Sequence, residues 1–432
     1  MLRNVAWAFG AQLVRLGTLL VLIALLSPAE RGFQAIVVLL PTLATTVALL
    51  SVPGVLPVVL HRGVAPQRLF RAAWALALAM TVLVCALALT SMPVLIRYLQ
   101  RQAEGQYLLD ERIVWLGILV LIPLLLGEMV RGWLVSLQRV RAYAVSQIVQ
   151  AVVQLLLTLV LVAWRGTGAW GAVWATVSAT WVGLGVAMVA LGDWGAFVPR
   201  FDRAALTPTL RLGLQAHLGN TVQLLNYQLD TLLIAGLLAG SAVGLYSIAV
   251  SLATQLWNVP NAVALVLLPH VAAGGARSTP AAARHTLLLA LLGALALLGG
   301  SFALLALLNP AFLPAWPALV LLLPGVVALS VSKVLASDLG GRGLPRYATL
   351  GAAVAVLVTI PGDLLLIPRW GILGAAAVST VAYSLSTVVI ARAYVQVAGV
   401  SWRALWPGRA EWRVYGALAQ RLLQGVIPRR TP

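Results

Sequence analysis

Residues 213–270 read GLQAHLGNTVQLLNYQLDTLLIAGLLAGSAVGLYSIAVSLATQLWNVPNAVALVLLPH. The first half is long enough to cross a bilayer as a helix, yet it carries Gln215, His217, Asn220, Gln223, Asn226, Gln228 and Asp230. At about 100° per residue, Gln215, Gly219, Asn220, Gln223, Asn226, Tyr227 and Asp230 fall within one arc of about 140°. Leu214, Leu218, Val222, Leu225, Leu229 and Leu232 occupy the opposite face. Polar side chains are costly in hydrocarbon, so they face a bundle interior or a watery cavity. Gluing helices together needs one or two such groups. A stripe this dense favours a cavity wall, with interhelical glue as the alternative.

The rest of the chain shares the membrane character of this stretch. Of 432 residues, 61% are hydrophobic and only 9% charged, with a mean hydropathy of +0.98. That composition defines an all-α polytopic membrane protein. A formal charge of +18 would suggest nucleic acid in a soluble chain, but here the arginines sit in short loops and report topology. No nucleic-acid partner is expected. The apolar run after Arg3 is too long for a cleavable signal, and no small-residue cleavage site follows it. The single cysteine, Cys85, lies inside a hydrophobic segment, which excludes disulfides and CxxC metal sites. Metal ligands and organic cofactors are therefore not expected.

Twelve apolar segments of helical length follow one another, at about 5–26, 34–60, 70–96, 113–130, 142–163, 170–191, 212–238, 244–268, 285–308, 317–336, 347–367 and 371–395. With the N-terminus in the cytoplasm, 21 of the 29 basic residues fall inside and six outside: Arg31, Arg97, Arg101, Arg112, Arg165 and Arg369. This bias predicts both termini cytoplasmic. The chain also looks duplicated. Gly32 and Pro57 are 25 residues apart, as are Gly244 and Pro269 at the corresponding points of the seventh and eighth segments. GAWGAVWAT (168–176) resembles GILGAAAVS (371–379) at the start of each last helix. Two six-helix repeats point the same way and are related by a pseudo-two-fold axis along the membrane normal. The expected organisation is an N-terminal lobe over 1–195, a cytoplasmic basic linker over 196–211 and a C-terminal lobe over 212–399. A basic tail over 400–432 completes it, with an amphipathic pattern at 411–427 that suits anionic lipid.

Charges inside the spans are the next candidates for function. Arg15 lies about 15 Å into the first helix at 1.5 Å per residue, near the midplane. Gln12 shares its face. An unpaired guanidinium facing lipid there would cost several kcal/mol, so Arg15 must meet an anion, water, or a carboxylate such as Asp230. A guanidinium is also suited to gripping phosphate bidentately. Lys333, the only lysine, either snorkels to the cytoplasmic surface or adds a second cation to the cavity. Asp230 and Asp363 are candidates for binding a coupling ion, a proton or sodium, or are acids at helix ends. Glu128 and Arg131 form an i,i+3 pair. No GxSxG, HExxH, P-loop or paired-carboxylate arrangement is present, and the outer loops are too short for a catalytic domain. An enzyme is not expected.

The run NYQLDTLLIAGLLAGSAVGLYSIAVSLATQLWNVPNAVALVLLPHVA (226–272), with its GLYSIA and LLPHVA pieces, resembles the seventh and eighth helices of polysaccharide-biosynthesis flippases. These belong to the multidrug/oligosaccharidyl-lipid/polysaccharide exporter superfamily. LLLIPRWGILGAAAVSTVAYS (364–384) and LSPAERGFQAIVVLL (26–40) are similar to two helical hairpins of the same family. The resemblance implies two six-helix lobes forming a V around a central cavity that opens alternately to each side. It implies a polyprenyl-diphosphate-linked oligosaccharide as cargo, moved from the inner to the outer leaflet of a bacterial inner membrane for surface polysaccharide biosynthesis. Membrane lipids, and glycosyltransferases or a polymerase of the same pathway, would be the other partners. On this reading Arg15, Gln12 and Lys333, with Asn220, Gln223, Asn226 and Tyr227 of the polar arc, contact cargo, while Asp230 and Asp363 couple an ion. The alternative is a multidrug or metabolite antiporter on the same fold. The superfamily's lipid II branch has two further C-terminal helices, which the twelve segments do not supply.

Overall fold

A computed structural model describes residues 2–102, 112–272, 274–408 and Glu411. Among these residues the chain is helical throughout, without a strand. In the N-terminal half the helices are α1 (Leu2–Leu25), α2 (Pro28–Ala48), α3 (Val52–His61), α4 (Pro66–Gln102), α5 (Arg112–Ser136), α6 (Val140–Thr158) and α7 (Gly168–Leu191). In the C-terminal half they are α8 (Arg203–Leu237), α9 (Gly240–Ala253), α10 (Asn258–Ala272), α11 (Thr279–Leu308), α12 (Ala315–Gly341), α13 (Arg346–Trp370) and α14 (Ile372–Ala398). The pairs α2–α3 and α9–α10 each form one broken span, so all twelve expected segments are present. Among the described residues, ten spans are long and apolar enough to cross a membrane. The polar arc keeps α8 below that threshold, and α1 contributes a shorter apolar stretch, Gly10–Leu25.

The two halves pack by the same plan. In the first, α1 lies on α6, α2, α3 and α4 on α5, and α7 on α5 and α6. In the second, α8 lies on α13, α9, α10 and α11 on α12, and α14 on α12 and α13. Every contact has its counterpart, which is the duplication read from the glycine and proline spacings. The lobes are thus related by a pseudo-two-fold axis, and residues on that axis meet their own repeat mates. Gly32 of α2 and Gly244 of α9 do so. A Cβ on Gly32 would lie 1.9 Å from the Gly240 carbonyl oxygen, and one on Gly244 would lie 1.8 Å from that of Pro28. Only glycine lets the two backbones approach this closely. At the same end of the bundle, Asn309 Nδ2 donates to the carbonyls of Ile23 and Leu26 at 3.1 and 3.0 Å, capping α1 from the other lobe.

The breaks in the second and eighth spans have local causes. Leu50 and Ser51 both adopt left-handed backbone (φ +48° and +55°), and Pro53 opens the next turn. The turn presses on α8, where Gly213 faces the Leu50 carbonyl so closely that a Cβ would lie 2.6 Å away. Asn220 donates to Ser51 Oγ at 2.9 Å nearby. In the repeat, a short 3-10 turn (Thr254–Trp257) replaces the kink.

Two element boundaries differ from the sequence expectation. The second span begins at Pro28 rather than near 34, because Ser27 and Glu30 form a reciprocal capping box with Pro28 in the first turn. The connection between lobes is shorter than 196–211, because Asp202 accepts from the amides of Ala204 and Ala205 and starts α8 at Arg203. That connection is strapped to α4: Arg68 Nε pairs with Asp202 at 2.7 Å, and Arg71 donates to the Gly195 carbonyl. The amphipathic pattern at 411–427 lies outside the described residues except for Glu411, which pairs with Arg284 of α11 at 2.6 Å.

Candidate functional site

Between the lobes lies a cavity of about 620 Å³. Its walls are built from α1, α2, α6, α7, α8, α9 and α14, together with the 3-10 turn that follows α9. The N-terminal lobe contributes Arg15 and Thr18, Arg31 and Gln34, and Gln154 and Thr176. The C-terminal lobe contributes Tyr227, Gln228 and Thr231, the hydroxyls of Ser247, Ser251 and Thr254, then Gln255, Trp257 and Tyr383. Neutral hydrogen-bonding groups line both sides, and the two cations belong to one lobe.

Arg15 is held from its own lobe. Its guanidinium donates to Gln147 Oε1 of α6 at 2.7 Å and makes no ion pair among the described residues. The sequence left Asp230 open as its partner, and the structure excludes that. The Asp230 carboxylate accepts instead from Tyr246 Oη, from Ser379 Oγ at 3.0 Å and from the Thr231 amide at 2.7 Å. The polar residues around Arg15 orient it without neutralising it, so its charge remains available to the cavity.

The polar arc of α8 divides. Tyr227 reaches the cavity, accompanied by Gln228 and Thr231 from just outside the arc. Asn226 and Asp230 instead turn into the C-terminal lobe, 1% and 2% exposed. Gly219 packs against Thr349 of α13. Gln223 is half-buried with its Nε2 unpartnered, and Asn220 is exposed and bound to Ser51. Gln12, on α1, is half-buried and outside the cavity wall. The arc therefore serves the lobe core as much as the cavity. The reason is rotational: α8 packs on α13, α9 and α14, which turns part of the arc into that lobe.

Inside the C-terminal lobe the buried polar groups form a second focus. Asp363 of α13 is fully buried with neither carboxylate oxygen hydrogen-bonded. Thr359, one turn earlier, also has an unpartnered hydroxyl, as has the Asn226 side-chain amide across on α8. Tyr383 donates to the Asn226 carbonyl at 3.4 Å. A buried acid whose lone pairs lack any protein donor needs a proton or a cation, and the oxygens supplied here suit a hard monovalent ion or a proton. No cluster of three or more His, Cys, Asp or Glu side chains occurs among the described residues.

Lys333 does not snorkel. Its ammonium stands over the rings of Trp257 and Tyr227, 4.7 and 5.1 Å from their centroids, held there by cation–π attraction. Those rings, with Tyr383 set against both, form part of the cavity wall. Lys333 itself is not a lining residue. Glu128 and Arg131 pair at 2.9 Å as expected, with Arg131 buried.

Sequence reasoning missed Arg31, Gln34, Gln154 and Trp257. For Arg31 a signal existed in the Ser27-Pro28-Ala29-Glu30 capping box, which moves it from a loop into the first turn of α2. For Gln154 it was the spacing of Gln147, Gln150 and Gln154 along one apolar span.

A polysaccharide biosynthesis protein family model matches residues 21–292, well over half of the chain. The chain belongs to that family. No curated sequence matches it significantly. Among solved structures, the lipid II flippase MurJ in an inward closed conformation superposes with a TM-score of 0.74 at 13% identity, covering 93% of this chain and 89% of that one. An inward-facing multidrug resistance MATE family transporter of the MOP superfamily gives 0.65 at 14% identity, covering 90% and 96%. The eukaryotic MATE transporter AtDTX14 gives 0.59 at 15% identity, covering 93% and 96%. At these identities the likeness is one of fold. The chain thus shares the two-lobed fold of these flippase and transporter structures.

Proposed function

We propose that the protein is a flippase rather than an enzyme, moving a polyprenyl-diphosphate-linked oligosaccharide from the inner to the outer leaflet of a bacterial inner membrane. The observation that carries this reading is Arg15, a guanidinium in the wall of the inter-lobe cavity that makes no ion pair among the described residues. It supplies the positive charge and planar fork that a diphosphate needs. The hydroxyls and amides around the cavity offer exchangeable hydrogen bonds to sugar hydroxyls, and Tyr227, Trp257 and Tyr383 offer flat apolar faces. The polyprenyl chain stays in lipid between the lobes. On the same reading, Asp230 and Asp363 bind a proton or sodium ion whose gradient biases alternating access, with both termini in the cytoplasm. Glycosyltransferases or a polymerase of the same pathway would deliver and consume the cargo.

The test is flipping of a fluorescent polyprenyl-diphosphate glycan in proteoliposomes. Arg15→Ala should abolish flipping while the protein remains folded, and Arg15→Lys, which keeps charge but loses the fork, should be partly active. Full-rate flipping by a well-folded Arg15→Ala protein would refute the assignment. The second reading, a cation-coupled multidrug or metabolite antiporter, is favoured by the unpartnered carboxylate of Asp363. It predicts ion-driven export of a small cation that survives loss of Arg15.

A further inference from the structure

Arg31 is the second cation of the cavity, and neither the sequence pattern nor the family match assigns it a role. It stands in the first turn of α2, one residue before the Gly32–Gly244 contact that closes this end of the bundle. Arg15 lies ten residues before the end of α1, so the two guanidiniums sit at different depths of the same cavity. Arg31 forms no ion pair among the described residues. The neighbouring Glu30 carboxylate is engaged elsewhere, accepting from the amide and hydroxyl of Ser27 at 2.8 and 2.9 Å and from the Ala169 amide at 3.3 Å. One terminal nitrogen of Arg31 donates to Gln34 Oε1, and Gln34 is itself 3% exposed. The Arg31 Nε is buried without any acceptor. A buried guanidinium with no counter-charge and a free donor lacks an oxyanion. Ser251 stands in the same cavity wall from the other lobe, and its hydroxyl can donate to a remaining oxygen of such a ligand.

We propose that Arg31 and Gln34 form a second oxyanion subsite of the cavity, which takes a phosphate group of the cargo beyond the point where Arg15 holds it. The assignment rests on the flippase reading for the identity of the cargo, but not for the existence of the subsite. Binding here is a different step from binding at Arg15. The anion would sit directly beneath the glycine contact, between α2 and α9, the two helices that must part for release at this end.

The subsite is tested with inorganic pyrophosphate on the purified full chain, by calorimetry in detergent. The wild type should bind, and Arg31→Gln should weaken binding about tenfold, the loss expected for one charge-assisted contact. Arg31→Lys should lie between, because the planar fork is lost while the charge remains. Unchanged affinity in either variant would overturn the subsite. Should Arg31→Gln fail to fold, Arg31→Lys decides alone, with wild-type affinity as the refuting result. A parallel titration with farnesyl diphosphate separates lipid-borne from free diphosphate. If pyrophosphate binds through Arg31 but no lipid-linked glycan is flipped, the subsite stands and the flippase reading falls. If flipping and pyrophosphate affinity are both indifferent to Arg31→Gln, the subsite falls and the flippase reading stands.

Discussion

The proposed alternating access requires that the Gly32–Gly244 contact break, and its geometry makes the consequence of adding one methyl group calculable. In Gly32→Ala the new Cβ would lie 1.9 Å from the Gly240 carbonyl oxygen, against a limit near 3.0 Å for real contacts. The obstacle is backbone, so no side chain can swing aside. The α2 and α9 backbones must separate by about 1.1 Å where they touch. Forcing extra volume into such a contact costs roughly 1–3 kcal/mol. That shifts the closed state against any alternative by about 5- to 150-fold. The assay is the labelling rate of Ser247→Cys, a cavity-wall position just inside the contact, by a small aqueous thiol reagent in a Cys85→Ala background. Gly32→Ala and Gly244→Ala should each accelerate labelling by at least about fivefold. The double variant should add little, since both substitutions wedge one interface. Gly54→Ala, where a Cβ meets nothing within 4 Å, is the control and should leave the rate alone. Wild-type labelling in both Gly32→Ala and Gly244→Ala would refute the claim that this contact seals the cavity.

The division of the α8 arc is open to cysteine scanning in the same background. Cysteines at Tyr227, Gln228 and Thr231 should react with aqueous reagents while those at Asn226 and Ile234 stay protected, and uniform reactivity would contradict the observed rotation of the helix. The two buried acids should behave differently. Asp230→Asn disturbs bonds to Tyr246, Ser379 and Thr231 and should destabilise by about 1–3 kcal/mol. Asp363→Asn breaks no protein hydrogen bond, so it should keep the melting temperature yet remove the ion dependence of flipping; unaltered ion dependence would dismiss Asp363 as a coupling site. At the junction between lobes, a hydrogen bond from Arg68 holds the Asp202 carboxyl below the usual carboxylate range. A depressed acid contributes stability above its unfolded pKa and loses it as pH falls through the folded value. Asp202→Ala should show a stability deficit near neutrality through the lost cap. That deficit should shrink in acid, measured by thermal melts across pH, and a constant deficit would argue that Asp202 is not ionised in its role.

The twelve spans and the duplication were legible in the sequence because each depends on local quantities. A run of about 20 apolar residues must become a helix in hydrocarbon, since no other backbone arrangement satisfies its amides there. Arginine counts in short loops are equally local, and so is the spacing that pairs Gly32 with Gly244. What a side chain faces is another matter. A helix has a polar arc whatever its neighbours, but its rotation about its own axis is set by packing against other helices. That is why Asn226 and Asp230 turn into the C-terminal lobe, where Asp230 meets α9 and α14, while Tyr227, one residue along from Asn226, reaches the cavity. Arg31 was hidden for two reasons. Its helix starts at a capping box rather than at the first apolar residue, and its freedom from a counter-ion depends on where Glu30 points. The close approach of Gly32 and Gly244 likewise exists only once two lobes meet across an axis that passes between them. The sequence by itself determined how many helices there are and how the halves correspond. The tertiary structure decided which polar groups share a cavity, because that requires the relative rotation of helices far apart in the chain.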